Sequence, residues 1–132
     1  MIKITINTPL TTLNEYIQAE RGNKYTASKI KRDNTNRVHN IAKVLRFKVP
    51  HGLYDVHIDW YKPNNRMDHD NISFAKKFVF DGLVKAKSIK NDNPKVINNF
   101  SDSFHLCKDK EYVWCEVTFK ESPHDQIPTH NI

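Results

Sequence analysis

Asn65-Arg66-Met67-Asp68-His69-Asp70-Asn71, running into an apolar-periodic segment over residues 72–86 and then Lys90-Asn91-Asp92, is the stretch on which the reading of this chain turns. Ala75, Phe78, Val79, Leu83 and Ala86 recur at helical spacing, so residues 72–86 are expected to form one helix with its apolar side on a sheet. Two aspartates stand where that helix begins and a third follows its end. On one straight helix Asp70 and Lys77, seven residues apart, would lie nearly in line about 10 Å from each other. Asp81, four after Lys77, is placed for an ion pair worth ~0.3–0.5 kcal/mol if exposed.

Outward from this segment the chain reads as alternating strands and helices. Ile2, Ile4 and Ile6 alternate with polar residues, giving a half-buried strand over 2–8 that ends before Pro9. Thr12-Leu13-Asn14-Glu15 has the form of a capping box and predicts a short helix stopping near Gly22. A second helix is expected from about Thr26 to Leu45, with Ile30, Val38, Ile41, Ala42 and Leu45 as a narrow apolar stripe. Pro50-His51-Gly52 is a turn, after which Tyr54, Val56, Ile58 and Trp60 alternate with Asp55, His57 and Asp59 as a second strand. Residues 94–100 and 104–107 read as an interrupted third strand, and 111–120 as the fourth, hairpin-paired to it through Asp109-Lys110. That register puts Cys107 opposite Tyr112 and Cys115 opposite Phe104, which argues for two reduced cysteines and against a disulfide. The expected architecture is α+β: a mixed four-stranded sheet with helices on one face, in the order β-α-β-α-β-β. One domain covers 1–120, and 121–132 reads as a flexible C-terminal tail.

Length and composition bound the function. A chain of 132 residues suffices for one core. With 38% hydrophobic and 27% charged residues it is ordinary for a globular protein. No apolar run approaches the roughly 18–20 residues of a membrane span, and the first ten residues alternate rather than form a secretory signal. No membrane association and a cytoplasmic location are the expectations. Two cysteines without a C-x-x-C pair exclude the common zinc modules. The net charge of +6 is uneven: residues 1–48 hold ten Lys or Arg against Glu15, Glu20 and Asp33, a balance of +7. The remainder holds eleven basic against twelve acidic residues, a balance of −1. A basic half beside an acidic cluster suits a polyanion held by one region and attacked at another. The competing account of the charge is a solvated basic helix with no partner. Candidate phosphate contacts are Lys24 just before the second helix and Lys29, Lys31, Arg32 and Arg37 on it, with Arg66 and Lys76 nearer the aspartates.

Two accounts of Asp68 and Asp70 stand side by side. Aspartate is favoured at helix starts, so capping explains one of them. It does not explain two plus Asp92, because gathered anions repel unless a cation or a proton intervenes. Magnesium, or manganese in its place, takes oxygen ligands of this kind together with water and phosphate. With such an ion the chemistry would be phosphodiester hydrolysis, Lys77 stabilising charge on the phosphate and Asn71 orienting a ligand from behind. His69 reads as a spacer.

These residues resemble the RusA family of Holliday-junction resolvases, small homodimeric magnesium-dependent endonucleases common in phages and prophages. The resemblance rests on Asp68-His69-Asp70-Asn71, on Lys77-Phe78-Val79-Phe80-Asp81-Gly82-Leu83 and on Asn91-Asp92. It implies Asp68, Asp70 and Asp92 as metal-binding catalytic carboxylates, Lys77 as the essential lysine, and a homodimer placing two nicks in a four-way DNA junction. Here the gap from Asp70 to Lys77 is three residues longer than the family pattern, and Lys76 is adjacent but about 100° round the helix. Leu13-Asn14-Glu15-Tyr16 also resembles a family segment, with no role evident from sequence. The rival expectations are a less selective metal-dependent nuclease and a non-catalytic basic DNA-binding module.

Overall fold

Alternation is the physical origin of the sheet. In β2 (Tyr54–Lys62) the side chains of Tyr54, Val56, Ile58 and Trp60 are buried, while Asp55, His57 and Asp59 face the other way. In β4 (Val113–Glu121) Val113, Cys115, Val117 and Phe119 do the same. The computed structural model describes residues 1–123 and joins these two strands as antiparallel centre strands. β1 (Ile2–Leu10) adds antiparallel to β4, and β3 (Ile97–Leu106) adds parallel to β2, giving the order β1-β4-β2-β3. The helices α1 (Leu13–Gly22), α2 (Lys24–Val44), α3 (His69–Ser73) and α4 (Lys76–Lys85) complete the α+β fold with its mixed four-stranded sheet. Val38 and Ala42 of α2 and Phe78, Val79 and Leu83 of α4 share one buried cluster with the inward residues of all four strands.

Several expectations are corrected. The third and fourth strands form no hairpin. β4 lies between β1 and β2, so Cys115 sits opposite Ile6 and Trp60 rather than Phe104. A parallel β2–β3 pair needs a crossover, and α3 and α4 supply it. β3 is one continuous strand despite its polar Asn98, Asn99, Ser101 and Asp102. As an edge it bonds only to β2 and leaves most of its side chains exposed. β1 runs through Pro9 to Leu10, with a shift in pairing between Ile6 and Leu10. On an edge strand the missing proline N–H breaks no ladder bond. Both cysteines are free, as expected, and burial pushes the Cys115 thiol well above its usual range.

The capping box at Thr12 and Glu15 forms as read. α2 begins at Lys24, two residues before the expected start, because Asn23 caps it by accepting from the Tyr25 N–H. Its buried positions are Ala27, Asn34, Val38 and Ala42, while Leu45 is 58% exposed. A polar residue thus takes the middle of the stripe: Asn34 accepts from the Thr11 N–H and donates to Thr11 Oγ1 and to the Ile30 carbonyl. Every polar atom of that amide is used, which is what makes its full burial tolerable.

The expected single helix over 72–86 is two. The Ala75 N–H reaches back three residues to Ile72 and the helix restarts at Lys76. The apolar period runs straight through this break because both pieces bury the same side, so the pattern carries no mark of it. α4 then packs on α2 at Gly82, where an added Cβ would stand 2.6 Å from Val38 Cβ. β4 extends to Glu121, and the buried Ser122 donates its N–H to the Leu53 carbonyl, so the start of the expected tail is part of the fold. The rest of that tail, from residue 124, lies outside the described residues.

Candidate functional site

β2 ends at Lys62, and the loop after it delivers the chain to Asp68. Asp68 holds the N-cap position of α3 in extended geometry, yet its side chain makes no cap hydrogen bond. Its backbone carbonyl instead accepts from the N–H groups of Asn71 and Ile72. The capping account therefore does not explain the Asp68 carboxylate. Asp70 lies in the first turn of α3. Both aspartates are exposed, and neither carboxylate has a hydrogen-bond or ion-pair partner among the described residues. Together they line an open cavity of about 420 Å³ with Lys62, Asn65, Met67 and His69. His69 is stacked on Phe104 at 3.9 Å between ring centroids, which fixes it as a packing residue beside the pair.

α1 sets the position of α3. The Asn14 N–H donates to Asn71 Oδ1 at 2.8 Å, satisfying one of the free donors at the start of α1. Tyr16 packs on Phe74 and Phe78 at 5.3 and 6.4 Å. The segment Leu13-Asn14-Glu15-Tyr16, without evident role in the sequence, is thus a strap across the aspartate-bearing turn. Asn71 acts on this strap: its carbonyl oxygen is spent on α1 and not on a ligand.

Asp92 belongs to a different grouping. Lys77 Nζ lies 3.0 Å from Asp81 Oδ1 and 3.7 Å from Asp92 Oδ2, so the expected Lys77–Asp81 pair forms and Asp92 joins it. Hydrogen bonding to Asp81, then the charges of Asp81 and Asp92, raise the Lys77 pKa above its ordinary value and keep it cationic. Asp92 lines a second cavity with Phe100 of β3, whereas His69 rests on Phe104, four residues further along that strand. Four residues of strand span about 13 Å. Among the described residues no three histidine, cysteine, aspartate or glutamate side chains gather closely enough to hold a metal ion. The three aspartates expected to share one ion are not brought together. What remains is a pair, Asp68 and Asp70, whose hard oxygen donors fit magnesium held by two carboxylates and otherwise by water and phosphate.

Lys76 is a structural residue. Its Nζ pairs with Asp102 at 3.0 Å and lies over the Phe100 ring, while Asp102 also accepts from Trp60 Nε1 at 2.8 Å. This pairing separates it from the more exposed Lys77. Arg37 is likewise engaged, donating to the Pro9 carbonyl. Lys24, Lys29, Lys31, Arg32 and Arg66 are exposed as expected. Lys31 and Arg32 line a groove between α2 and α4 that also contains Lys85 and Asp81, which brings the basic helix to the edge of the Lys77 grouping.

Sequence reading passed over the helix-free side of the sheet. There His105 Nε2 and His57 Nε2 stand 2.8 and 3.4 Å from Asp59 Oδ1, and His57 Nδ1 is 2.6 Å from Ser101 Oγ. The alternation of β2 places His57 and Asp59 on one face. Only the parallel pairing with β3 adds Ser101 and His105. No family model matches this chain, and no curated protein matches it significantly. No helix among the described residues is long and apolar enough to cross a membrane.

Proposed function

We propose that this protein is a divalent-cation-dependent endodeoxyribonuclease that acts on branched DNA as a homodimer, cutting a four-way junction by paired nicks in the cytoplasm of a phage-bearing host. The observation that carries this reading is the Asp68–Asp70 pair: separated only by His69, exposed at an open cavity, used neither for capping nor for an ion pair. Two carboxylates lining one open cavity present hard oxygen donors that a divalent cation, with water and a phosphate, can complete. In this reading Asp68 and Asp70 would hold the ion, which when bound would supply Lewis-acid stabilisation of charge on the phosphoryl oxygens and ease attack by water. Lys77, kept protonated by Asp81 and Asp92, offers its positive charge to a phosphate further along the same DNA strand. Lys31, Arg32 and Lys85 track the backbone without reading sequence. Asn71 keeps α3 in place through α1.

The test is cleavage of a synthetic four-way junction against a linear duplex of the same sequence, with magnesium or manganese and with chelator. Paired nicks in the junction that need the ion and disappear in Asp70→Asn are expected. Comparable cutting of the duplex points to a less selective nuclease. Cutting that survives chelation refutes the proposal. A second reading, a non-catalytic DNA-binding module, is favoured by one observation: Asp92 is held by Lys77 away from the pair. It requires junction binding without cleavage, unchanged by Asp68→Asn and Asp92→Asn.

A further inference from the structure

Where the segments following α2 and α4 meet, the protein carries a cavity of about 400 Å³ whose polar lining is almost wholly basic. Lys48, Lys87, Lys90 and His51 line it, with Ser88 in its wall and no acidic side chain. Three lysines elsewhere are matched by carboxylates: Lys3 pairs with Glu116, Lys76 with Asp102, and Lys77 with Asp81 and Asp92. The side chains of Lys48, Lys87 and Lys90 have no hydrogen-bond or ion-pair partner among the described residues. Three like charges around one concavity repel, and an anion between them removes the repulsion.

Helix capping does not account for these lysines. In the last turn of α4 the Val84 carbonyl already accepts from the Lys87 N–H and the Leu83 carbonyl from the Ser88 N–H. Lys48 and Lys90 lie outside any helix. A second observation points to a ligand. Ser88 is only 2% exposed, its carbonyl accepts from the Val49 N–H, and its hydroxyl has no partner. A buried hydroxyl in a cavity wall with nothing to bond is a group a ligand can satisfy. The remaining walls, Val49, Pro50, Val84, Ile89 and Val96, are apolar. A cationic rim over an apolar floor in a cavity of this size suits a small amphiphilic anion.

We propose that this cavity binds a nucleoside monophosphate, its phosphate on Lys48, Lys87 and Lys90 and its base against the apolar floor, either as a free nucleotide or as the phosphorylated end of a DNA strand. The site is distinct from the aspartate pair. The cavity abuts Gly52 before the start of β2, and the aspartate cavity abuts Lys62 at its end. A nine-residue strand puts them about 27 Å apart. The proposal does not rest on the nuclease reading, and failure of either leaves the other standing.

Calorimetric titration of the full chain with dAMP, deoxyadenosine and inorganic phosphate tests it. dAMP is expected to bind at least tenfold more tightly than either fragment. The Lys87→Gln/Lys90→Gln variant should lose at least tenfold, Ser88→Ala should weaken binding, and Lys108→Gln/Lys110→Gln, exposed in the loop between β3 and β4, should bind as the parent does. Circular dichroism of each variant establishes that it is folded. A 5′-phosphorylated single strand that outbinds its dephosphorylated twin and displaces dAMP identifies a DNA end as the source. Tight dAMP binding with no preference between the two strands identifies the free nucleotide. dAMP binding no tighter than deoxyadenosine or phosphate, or unaltered by the double lysine change, overturns the proposal.

Discussion

Replacing Gly82 by alanine tests the helix contact that positions Lys77 and Asp81. The new Cβ would lie 2.6 Å from Val38 Cβ, 2.7 Å from Val38 Cγ1 and 2.8 Å from the Thr35 carbonyl oxygen, where ordinary contact begins at 3.4 Å. The neighbours are a branch-point carbon and a backbone atom of α2, neither of which swings aside, so the two helices must separate by roughly 0.6–0.8 Å to restore contact distance. Alanine gains ~1 kcal/mol in helix propensity over glycine. Overpacking costs ~1–3 kcal/mol, and here falls at the upper end because three contacts are violated at once. A net destabilisation of about 1–2 kcal/mol follows, lowering Tm by roughly 4–8 °C. Urea unfolding monitored by tryptophan fluorescence and circular dichroism measures it. Gly22→Ala, with nothing within 4 Å of the added carbon, is the control and should be neutral or slightly stabilising. Val38→Ala removes Cγ1, one of the three clashing atoms, and leaves Cβ in place, so the double variant should be more stable than the sum of the singles by about 0.5 kcal/mol. Gly82→Ala as stable as the parent, or singles that simply add, would refute the argument.

Other outcomes follow from the buried polar groups and the titrating ones. Asn34→Ala strands the Thr11 N–H and hydroxyl and should cost about 1–3 kcal/mol by the same denaturation assay. An aromatic disulfide reagent should titrate the half-buried Cys107 in the native protein and Cys115 only on unfolding. Because burial raises the folded Cys115 pKa above its ordinary 9.0, its contribution to stability is complete below pH 9 and falls as pH rises beyond it, and Cys115→Ala should flatten that decline. Lys77 is also raised, so the stability it adds is present below pH 10.5 and is lost above. In the junction assay Lys77→Met should reduce cleavage at least tenfold while Lys76→Met acts mainly on stability, through Asp102.

The residues whose environment is local were legible in the sequence. Thr12 and Glu15 announce their capping box because both partners lie within one turn. The alternation in β2 and β4 states which face is buried because a strand repeats every two residues. Lys77 and Asp81 pair because a helix brings i and i+4 together. Asn34 is absent from the apolar stripe read from the sequence, and its burial was not legible there because its partner Thr11 is 23 positions away. The break between α3 and α4 was hidden because the apolar period is the same on either side of it.

The candidate site divides along the same line. The sequence by itself determined that Asp68 and Asp70 stand together at a helix start, that the basic charge sits in the first half, and that an α+β sheet carries them. Only the tertiary structure decided that Asp68 does not cap, that Asn71 is spent on α1, and that Asp92 faces Lys77 instead of joining the pair. Only the parallel placement of β3 beside β2 brought His57, Asp59, Ser101 and His105 together, and only the meeting of two helix ends made the lysine-lined cavity. Periodicity fixes which way a side chain faces along its own element. It carries no information on which element arrives opposite, because that is chosen by the burial of the whole chain at once.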